Sequence, residues 1–322
     1  KKYKLILTLW AIAVLFVAVP ITADASEENK SCILYNSENG LLTSETNCVT
    51  QTSDGFLWIG SYVGLTRYDG TNFYSYDSSH GVPSVVSLYT DENDRIWIGT
   101  NDNGIFLFKD SAIAAHYDTG NGLSALSVRS ICSDSSGNIY VGTVAGLNMI
   151  SSSGDITTIP CPDDISNIRS LTNLANGVIA GVTNSGVLFG IKDGDLLFSD
   201  ICDIDSVHYA SAAVGPDDTL FIGTTSNLLI QAEISDSGIS IMSTFESDDC
   251  NYFNRLYYDD ELDGCLYCAE YGLGLFDIGT GSFISMSRDD FDASVSDITR
   301  DYQGNIWFVS NKQGVVEFTE NP

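Results

Sequence analysis

The stretch SDGFLWIGSYVGLTRYDG, Ser53–Gly70, decides the fold of this chain. Short aromatic and aliphatic runs alternate with turn residues, a pattern typical of β-strands joined by tight turns. The pair Asp54-Gly55 tolerates the positive φ that such turns demand. A closely similar phrase, ENDRIWIGTNDNGIFLF, returns at Glu92–Phe108. The stretch is therefore one unit of an internal repeat.

The repeat occurs seven times. Aligned on the first position of the second strand, mostly aromatic, its units are marked by Trp58, Trp97, Tyr140, Ile179, Phe221, Tyr267 and Trp307. Each unit carries a turn pair before that position: Asp54-Gly55, Asn93-Asp94, Ser136-Gly137, Asn176-Gly177, Asp217-Asp218, Asp263-Gly264 or Gln303-Gly304. Strand units of about 40 residues are the signature of propeller blades. We expect the tryptophans of the series to pack between blades.

A small residue follows two places after most of these markers. We expect the glycines there to permit the close approach of a neighbouring backbone; they are Gly60, Gly99, Gly142, Gly181 and Gly223.

The two ends of the chain are predicted to share one blade. The last unit, SDITRDYQGNIWFVSNKQGVVEFTENP, supplies only three strands, whereas SCILYNSENGLLTS near the start resembles the end of a blade. Residues 32–36 would then form the missing outer strand and remove an open edge. The predicted fold is an all-β, seven-bladed β-propeller of four-stranded antiparallel blades over residues 31–322, closed by an N-terminal strand, with no helix after residue 30.

The first 25 residues are interpreted as an export signal. Lys1, Lys2 and Lys4 precede an apolar run from Leu5 to Ile21, and Ala23-Asp24-Ala25 resembles a cleavage site. An uncleaved membrane anchor is the alternative. Either interpretation places the propeller outside the cytoplasmic membrane, after a short linker at 26–30.

Composition narrows the classes of partner. The formal net charge is −29, which repels phosphate backbones and argues against a nucleic-acid partner. The eight cysteines are scattered, and we expect buried free thiols. Cys265 and Cys268 should point to opposite faces of one strand.

Several phrases resemble the two-component regulator propeller repeat. They include TSDGFLWIGSYVGLTRYDG with ENGLLTSE ahead of it, DENDRIWIGTNDNGIFLF, DSSGNIYVGTVAGLNMI and DYQGNIWFVSNKQGVVEF. The resemblance covers the chain after the signal and is strongest in units one, two, three and seven. It implies the extracytoplasmic sensing region of a membrane receptor, many of which respond to polysaccharide fragments. It also implies that a β-sandwich domain, a membrane span and a cytoplasmic output follow, and it leaves a homodimer open.

Three arginines recur at one blade position. Eight residues before the hairpin turn lie Arg129 in unit three and Arg169 in unit four, and Arg255 is taken as the equivalent in unit six, where the turn is read as one residue longer. Starts of innermost strands surround the mouth of the central channel, where guanidinium groups could bind a carboxylate or sulfate. The alternative is that each arginine pairs with an acidic residue of an adjacent blade.

The loops on the same face supply the other candidate ligand-binding residues. Aromatic rings beside amides and carboxylates suit the faces and hydroxyl groups of sugars, and the candidates are Tyr62, Asn101, Asp102, Asn184, Glu270, Tyr271, Asn311 and Lys312.

Catalytic signals are weak. His80, His116 and His208 are far apart without metal-ligand spacing, and no nucleophile motif is present. Acid-rich loops such as YYDDELDG do not follow the EF-hand order. We predict no catalytic residues, no metal and no cofactor. The favoured function is a non-catalytic sensor of an extracellular oligosaccharide or small anionic ligand. A secreted glycan hydrolase or lyase and a protein-binding scaffold ring are the alternatives.

Overall fold

The structure, a computed structural model, describes residues 31–235 and 238–319. The predicted export signal and linker lie outside these ranges. Within them the chain forms strands and two single-turn 3₁₀ helices, Ser78–His80 and Pro216–Asp218. No helix in the described ranges is long and apolar enough to cross a membrane.

The strands form seven antiparallel four-stranded sheets, which are the blades of the propeller. The first strand of the chain, β1 (Ser31–Tyr35), belongs to the last blade. From innermost to outermost strand, blade 1 is β2 (Thr46–Gln51), β3 (Leu57–Ser61), β4 (Gly64–Tyr68) and β5 (Phe73–Tyr76); blade 2 is β6 (Val85–Thr90), β7 (Ile96–Thr100), β8 (Ile105–Lys109) and β9 (Ala112–Tyr117); blade 3 is β10 (Val128–Ser133), β11 (Ile139–Thr143), β12 (Gly146–Ile150) and β13 (Ile156–Ile159).

The later blades repeat the order. Blade 4 is β14 (Ile168–Asn173), β15 (Ile179–Thr183), β16 (Val187–Lys192) and β17 (Asp195–Ile201); blade 5 is β18 (Tyr209–Val214), β19 (Thr219–Thr224), β20 (Leu228–Ser235) and β21 (Gly238–Glu246); blade 6 is β22 (Phe253–Asp259), β23 (Gly264–Ala269), β24 (Leu273–Asp277) and β25 (Ser282–Ser285); blade 7 is β26 (Val295–Arg300), β27 (Ile306–Ser310), β28 (Gly314–Thr319) and β1. The predicted fold class is confirmed.

The ring closes through β1. This strand pairs antiparallel with β28 from Ser31 opposite Thr319 to Tyr35 opposite Val315. The innermost strands of blades 7 and 1 also contact each other, as do those of all other adjacent blades. The predicted closure is confirmed, with the strand beginning one residue earlier than expected. Pairing both chain ends in one blade leaves no gap in the ring.

The core lies between blades. Second strands such as β3, β7 and β11 are buried along their whole length, because a blade covers each face of the sheet. In one cluster Trp97 of blade 2 packs with Val128 and Ile139 of blade 3. Trp58, Trp97 and Trp307 are all buried, so their predicted packing role is confirmed.

The turns between innermost and second strands form the lower rim of the ring. In blade 7 the buried carboxylate of Asp301 accepts hydrogen bonds from the backbone N–H groups of Gln303 and Asn305, at 2.9 and 2.8 Å. It also accepts one from Trp307 Nε1 at 2.8 Å. Asp91 plays the same part for Trp97, again at 2.8 Å. The acidic residue of the repeat thus holds the turn and satisfies the buried indole.

Two units were aligned one residue out of register. Ala180 pairs with Thr172 and Leu266 with Tyr257, as Trp58 pairs with Thr50. Ala180 and Leu266, rather than Ile179 and Tyr267, therefore occupy the tryptophan position. In blade 6 the turn is one residue longer and Gly264 already belongs to β23, whereas in blade 4 the turn pair was placed correctly and only the strand marker Ile179 was taken one residue early.

The interpretation of the second-strand glycines was wrong in one respect. A Cβ atom on Gly60 would lie 2.5 Å from Cys48 Sγ and 2.6 Å from Val85 Cγ1 of blade 2. The closest neighbours are thus side chains of the innermost strands, although at Gly99 the backbone oxygen of Val128 on blade 3 also lies 3.1 Å from such a Cβ atom. Gly181 is out of this series, since Val182 pairs with Ser170 as Gly60 pairs with Cys48.

All eight cysteines are free, but only five are buried; Cys32, Cys161 and Cys202 are half-buried, which corrects the expectation. Cys265 and Cys268 lie in different core clusters on opposite faces of β23, as predicted.

Candidate functional site

Every innermost strand carries a register irregularity at its second residue. These irregularities form a ring at the upper mouth of the channel, opposite the lower rim. The residues are Asn47, Val86, Arg129, Arg169, Ala210, Asn254 and Ser296. A β-bulge redirects a side chain away from the regular ladder. All of these residues except Ala210 line a cavity at the mouth.

Arg255 is not the equivalent of the other two arginines. The irregularity in β22 lies between Phe253 and Arg255, so Asn254 occupies the position of Arg129 and Arg169. Arg255 pairs with Cys268 as Ser130 pairs with Gly142, one position further along the channel. The turn of blade 6 is one residue longer, as predicted, but it ends at Asp263; Gly264 already pairs with Asp259 in the sheet, so counting from Gly264 shifted the position by one. This corrects the predicted equivalence.

The upper cavity has a volume of about 330 Å³. Its charged lining residues are Arg129, Arg169, Arg255 and Asp297. Three guanidinium groups thus face one carboxylate in a protein whose net charge is −29. A cavity with this balance attracts anions locally, because charges that share one concave space add their potentials.

Arg169 reaches across the channel from blade 4 to blade 6. One guanidinium nitrogen donates to the Tyr252 hydroxyl and the other to Asn254 Oδ1 at 3.4 Å. The guanidinium carbon lies 5.1 Å from the centre of the Tyr252 ring. Asn254 is itself oriented, since its Nδ2 donates to Ser294 Oγ and to Val295 O, each at 3.1 Å. Arg169 is held by neutral groups and keeps its charge uncompensated by a carboxylate.

Arg129 lies on the neighbouring blade and is exposed. Its one hydrogen bond within the described ranges goes to Asn101 Oδ1, at 3.1 Å. A guanidinium has five N–H donors, so most of those on Arg129 face the solvent or a ligand.

Arg255 forms an ion pair with an acidic residue of an adjacent blade, as the alternative to a ligand-binding role expected. Its Nε lies 3.2 Å from Asp297 Oδ1 on blade 7. The other oxygen of Asp297 accepts the Val49 backbone N–H of blade 1 at 3.0 Å. Burial raises the pKa of Asp297, and the nearby Arg255 opposes that increase. Arg255 therefore links blades 6, 7 and 1 through a buried carboxylate.

The remaining candidates divide into three groups, all on loops of the upper face. Tyr62 and Asn311 line the upper cavity, and the Tyr62 side chain is 51% exposed. Asn184 lines a second cavity, of about 320 Å³, together with Arg129, Asn167 and Arg169. Asn101 acts through Arg129.

The other predicted residues are not brought to the mouth. Tyr271 lines a separate cavity between blades 5 and 6, lined also by Asp248 and Asp249. Asp102, Glu270 and Lys312 line neither the upper cavity, nor the second cavity, nor the one beside Tyr271 in the described structure. Asp102 accepts a hydrogen bond from its neighbour Asn103 at 2.6 Å.

Sequence reasoning missed Tyr252, Asn254 and Asp297. Tyr252 and Asn254 immediately precede Arg255, and aligning units on the strand starts instead of the turns would have placed Asn254 in the ring. Asp297 shows no pattern of its own in the sequence. In the described part of the chain no group of three or more histidine, cysteine or acidic side chains is arranged to hold a metal ion.

The family model described as "Two component regulator propeller" matches residues 81–102 and 122–145. These segments cover the innermost and second strands of blades 2 and 3 and the loops beside them. No curated protein sequence matches the chain.

Solved structures with the same fold include extracellular domains of two component systems and a group of lyases. The extracellular domain of the hybrid two component system BT3049 from B. thetaiotaomicron has a TM-score of 0.74 and 19% identity, over 91% of this chain and 42% of that one. The extracellular domain of BT4673, from the same organism, has a TM-score of 0.72 and 20% identity, over 91% and 40%. This chain thus spans about two fifths of those domains.

The second group consists of lyases. A catalytically inactive virginiamycin B lyase from Staphylococcus aureus, solved with quinupristin, has a TM-score of 0.76 and 17% identity, over 90% of this chain and 99% of that one. At such identities these likenesses show the fold alone. The matched segments of blades 2 and 3 are thus similar to two-component regulator propeller repeats, and the solved structures share the propeller fold.

Proposed function

We propose that this protein is the extracytoplasmic ligand-sensing propeller of a signal-transduction receptor, and that it binds an acidic oligosaccharide at the upper mouth of its channel without cleaving it. The observation that carries the proposal is the concentration of arginine in the upper cavity of a strongly acidic protein. The repeats and the fold shared with extracellular domains of two component systems support a sensing role.

The chemistry of the mouth fits a glycan better than a simple ion. Arg129 and Arg169 offer charged donors to a carboxylate or sulfate group. Tyr62 offers an exposed aromatic ring, and Asn47 and Asn311 offer amides in the same cavity. A cavity of about 330 Å³ is at the lower end of the range for small-molecule sites.

The experiment compares acidic with neutral oligosaccharides. Purified protein is mixed with oligomers of galacturonate, of mannuronate and of hyaluronan, and with neutral galactotriose, and the unfolding midpoint is followed. A ligand that binds only the folded state raises the midpoint with concentration. We expect at least one acidic oligomer to stabilise the protein and galactotriose to have no effect.

Variants test the place of binding. Arg169→Gln should remove the stabilisation. Lys109→Gln, which removes an exposed charge at the lower end of β8, should retain it. The proposal fails if no acidic oligomer binds, or if Arg169→Gln binds as well as the unaltered protein.

Turnover is measured on the same mixtures. The alternative of a glycan lyase or hydrolase is kept by the fold shared with virginiamycin B lyase. A lyase would produce an unsaturated uronate with ultraviolet absorbance, and a hydrolase would produce new reducing ends. If either product forms at a rate proportional to protein concentration, the protein is an enzyme and the proposal of binding without cleavage is wrong.

A further inference from the structure

Two cavities meet at the same pair of arginines. Arg129 and Arg169 line the upper cavity in the channel mouth, and both also line the second cavity with Asn167 and Asn184. The second cavity, here called the side cleft, lies on the upper face over blades 3 and 4. Arg129 and Arg169 therefore belong to a wall that the mouth and the side cleft share.

Neither arginine has an acidic partner. Among the described residues, the ion pairs of arginine involve Arg95, Arg255, Arg288 and Arg300. Arg129 and Arg169 contact neutral acceptors instead. Arg67 also lacks an ion pair in the described ranges, but its guanidinium packs over the rings of Phe56 and Tyr74, away from the upper cavity. A bound anion would supply the missing charge at Arg129 and Arg169 without displacing an internal partner.

Arg255 lines the upper cavity but differs in both respects. It is paired with Asp297 and is absent from the side cleft. An anion that approached it would compete with a carboxylate that also holds the Val49 N–H. Of the three arginines in the upper cavity, Arg129 and Arg169 line both cavities and have no ion pair among the described residues, so we take them as the binding pair.

We infer that the ligand is a linear acidic oligomer that lies across this wall, with one anionic group held jointly by Arg129 and Arg169 and neighbouring units on both sides. One neighbour occupies the mouth beside Tyr62, and the other occupies the side cleft beside Asn184. This inference rests on the proposed function and adds to it: the recognised acid is on an internal unit, and three units are the minimum that fills the site.

The partners on each side suit sugar units. The Tyr62 ring is half exposed at the mouth and offers an apolar face with a polar tip. The side chains of Asn167 and Asn184 are exposed, while the Asn184 backbone N–H is bonded to Asn167 O at 2.9 Å. The backbone bond holds the two amides close together, where their side chains can bind hydroxyl groups.

The test compares a monomer with a trimer by titration calorimetry. The probes are galacturonate and trigalacturonate, and mannuronate and its trimer. Arg129→Gln and Arg169→Gln should each weaken monomer and trimer alike, by about tenfold or more, since each removes charge-assisted hydrogen bonds. Tyr62→Ala and Asn184→Ala should weaken the trimer by about three- to tenfold and leave the monomer unchanged.

Two matched controls complete the design. Asn311→Ala alters another amide of the mouth, one outside the side cleft, and the effect of Asn184→Ala should add to its effect on the trimer because the two residues would contact different units. Lys109→Gln should bind every probe normally. Unfolding midpoints of all variants establish that they fold.

The outcomes separate this inference from the proposed function. If a trimer binds through Arg169 but Asn184→Ala has no effect on it, the oligomer does not cross the wall and the inference fails alone. It also fails alone if the monomer binds as tightly as the trimer. If none of the acidic probes binds, the inference and its anionic-ligand basis fail together.

Discussion

Asp301 on the lower rim and Arg169 at the upper mouth are both charged side chains at the ends of innermost strands, but their surroundings are opposite. Asp301 is buried and accepts hydrogen bonds from its own turn and from Trp307. Arg169 reaches across the channel to neutral acceptors and has no carboxylate beside it. The repeated residue stabilises its turn, whereas the residue that varies between blades is bonded only to neutral groups within the described ranges.

The largest change in the free energy of unfolding is expected when the carboxylate of Asp301 on the lower rim is removed. Asp301→Ala leaves the Trp307 indole N–H and two turn N–H groups without their acceptor, so we expect a loss of about 3 kcal/mol in the free energy of unfolding. Urea unfolding followed by tryptophan fluorescence measures it.

A threonine at the same place provides the control. In blade 1 Thr52 Oγ1 accepts the Trp58 indole N–H at 3.0 Å. Asp301→Thr should therefore recover part of the lost stability. A stability of Asp301→Ala within about 0.5 kcal/mol of the unaltered protein would show that the lower rim does not depend on this carboxylate.

A smaller change in the free energy of unfolding is expected at Arg255, which is partly exposed but paired with a buried carboxylate. Arg255→Gln leaves Asp297 without its cation, and we expect a loss of about 1–2 kcal/mol at pH 7, less than for a fully buried pair because Arg255 is partly exposed. The double variant Arg255→Gln with Asp297→Asn should regain stability, because no buried charge is left unpaired.

The same variant should depend on pH in a defined direction. Burial already raises the pKa of Asp297, and loss of Arg255 removes an influence that lowers it. An acid whose pKa is raised by folding destabilises the protein when ionised, and this cost disappears as the pH falls and the group is protonated. The stability deficit of Arg255→Gln should therefore shrink from pH 7 to pH 4. A deficit that grows on acidification would contradict the assignment.

The smallest change in the free energy of unfolding is expected for the two arginines of the upper mouth that have no ion pair in the described ranges. Arg129→Gln and Arg169→Gln remove no ion pair, so each should change the free energy of unfolding by no more than about 0.5 kcal/mol. The exposed Lys109→Gln provides the comparison. Losses above about 1 kcal/mol would mean that these arginines hold the ring together and are not reserved for a ligand.

Most of the fold could be predicted from the sequence because the strands of one blade follow one another directly along the chain. Each hairpin turn carries its own residues with positive φ, such as Gly55, Asp94 and Gly304, and each second strand carries its own buried run. Closure was also predictable, since the last unit lacked a strand that the first residues could supply. The registers of blades 4 and 6 were missed because weak motifs do not show where a strand ends.

The site was predictable only in part. The shared position of Arg129 and Arg169 follows from counting within a unit, and both line the mouth. The role of Arg255 did not follow, because Gly264 was counted as part of the turn and because Asp297 lies on another blade. Tyr271, Asp102, Glu270 and Lys312 have the chemistry of binding residues, but their loops do not carry them to the mouth.

The sequence by itself determined that this chain forms seven blades and presents variable loops on one face, because those features arise from contacts within about 40 residues. It also determined that β1 completes blade 7, because the last unit lacks the strand that the first residues supply. Only the tertiary structure decided which arginines are paired. The contact of Arg169 with Tyr252 spans 83 residues of sequence, and the hydrogen bond of Asp297 to the Val49 N–H spans 248. Such contacts exist only because the ring brings distant blades around one channel.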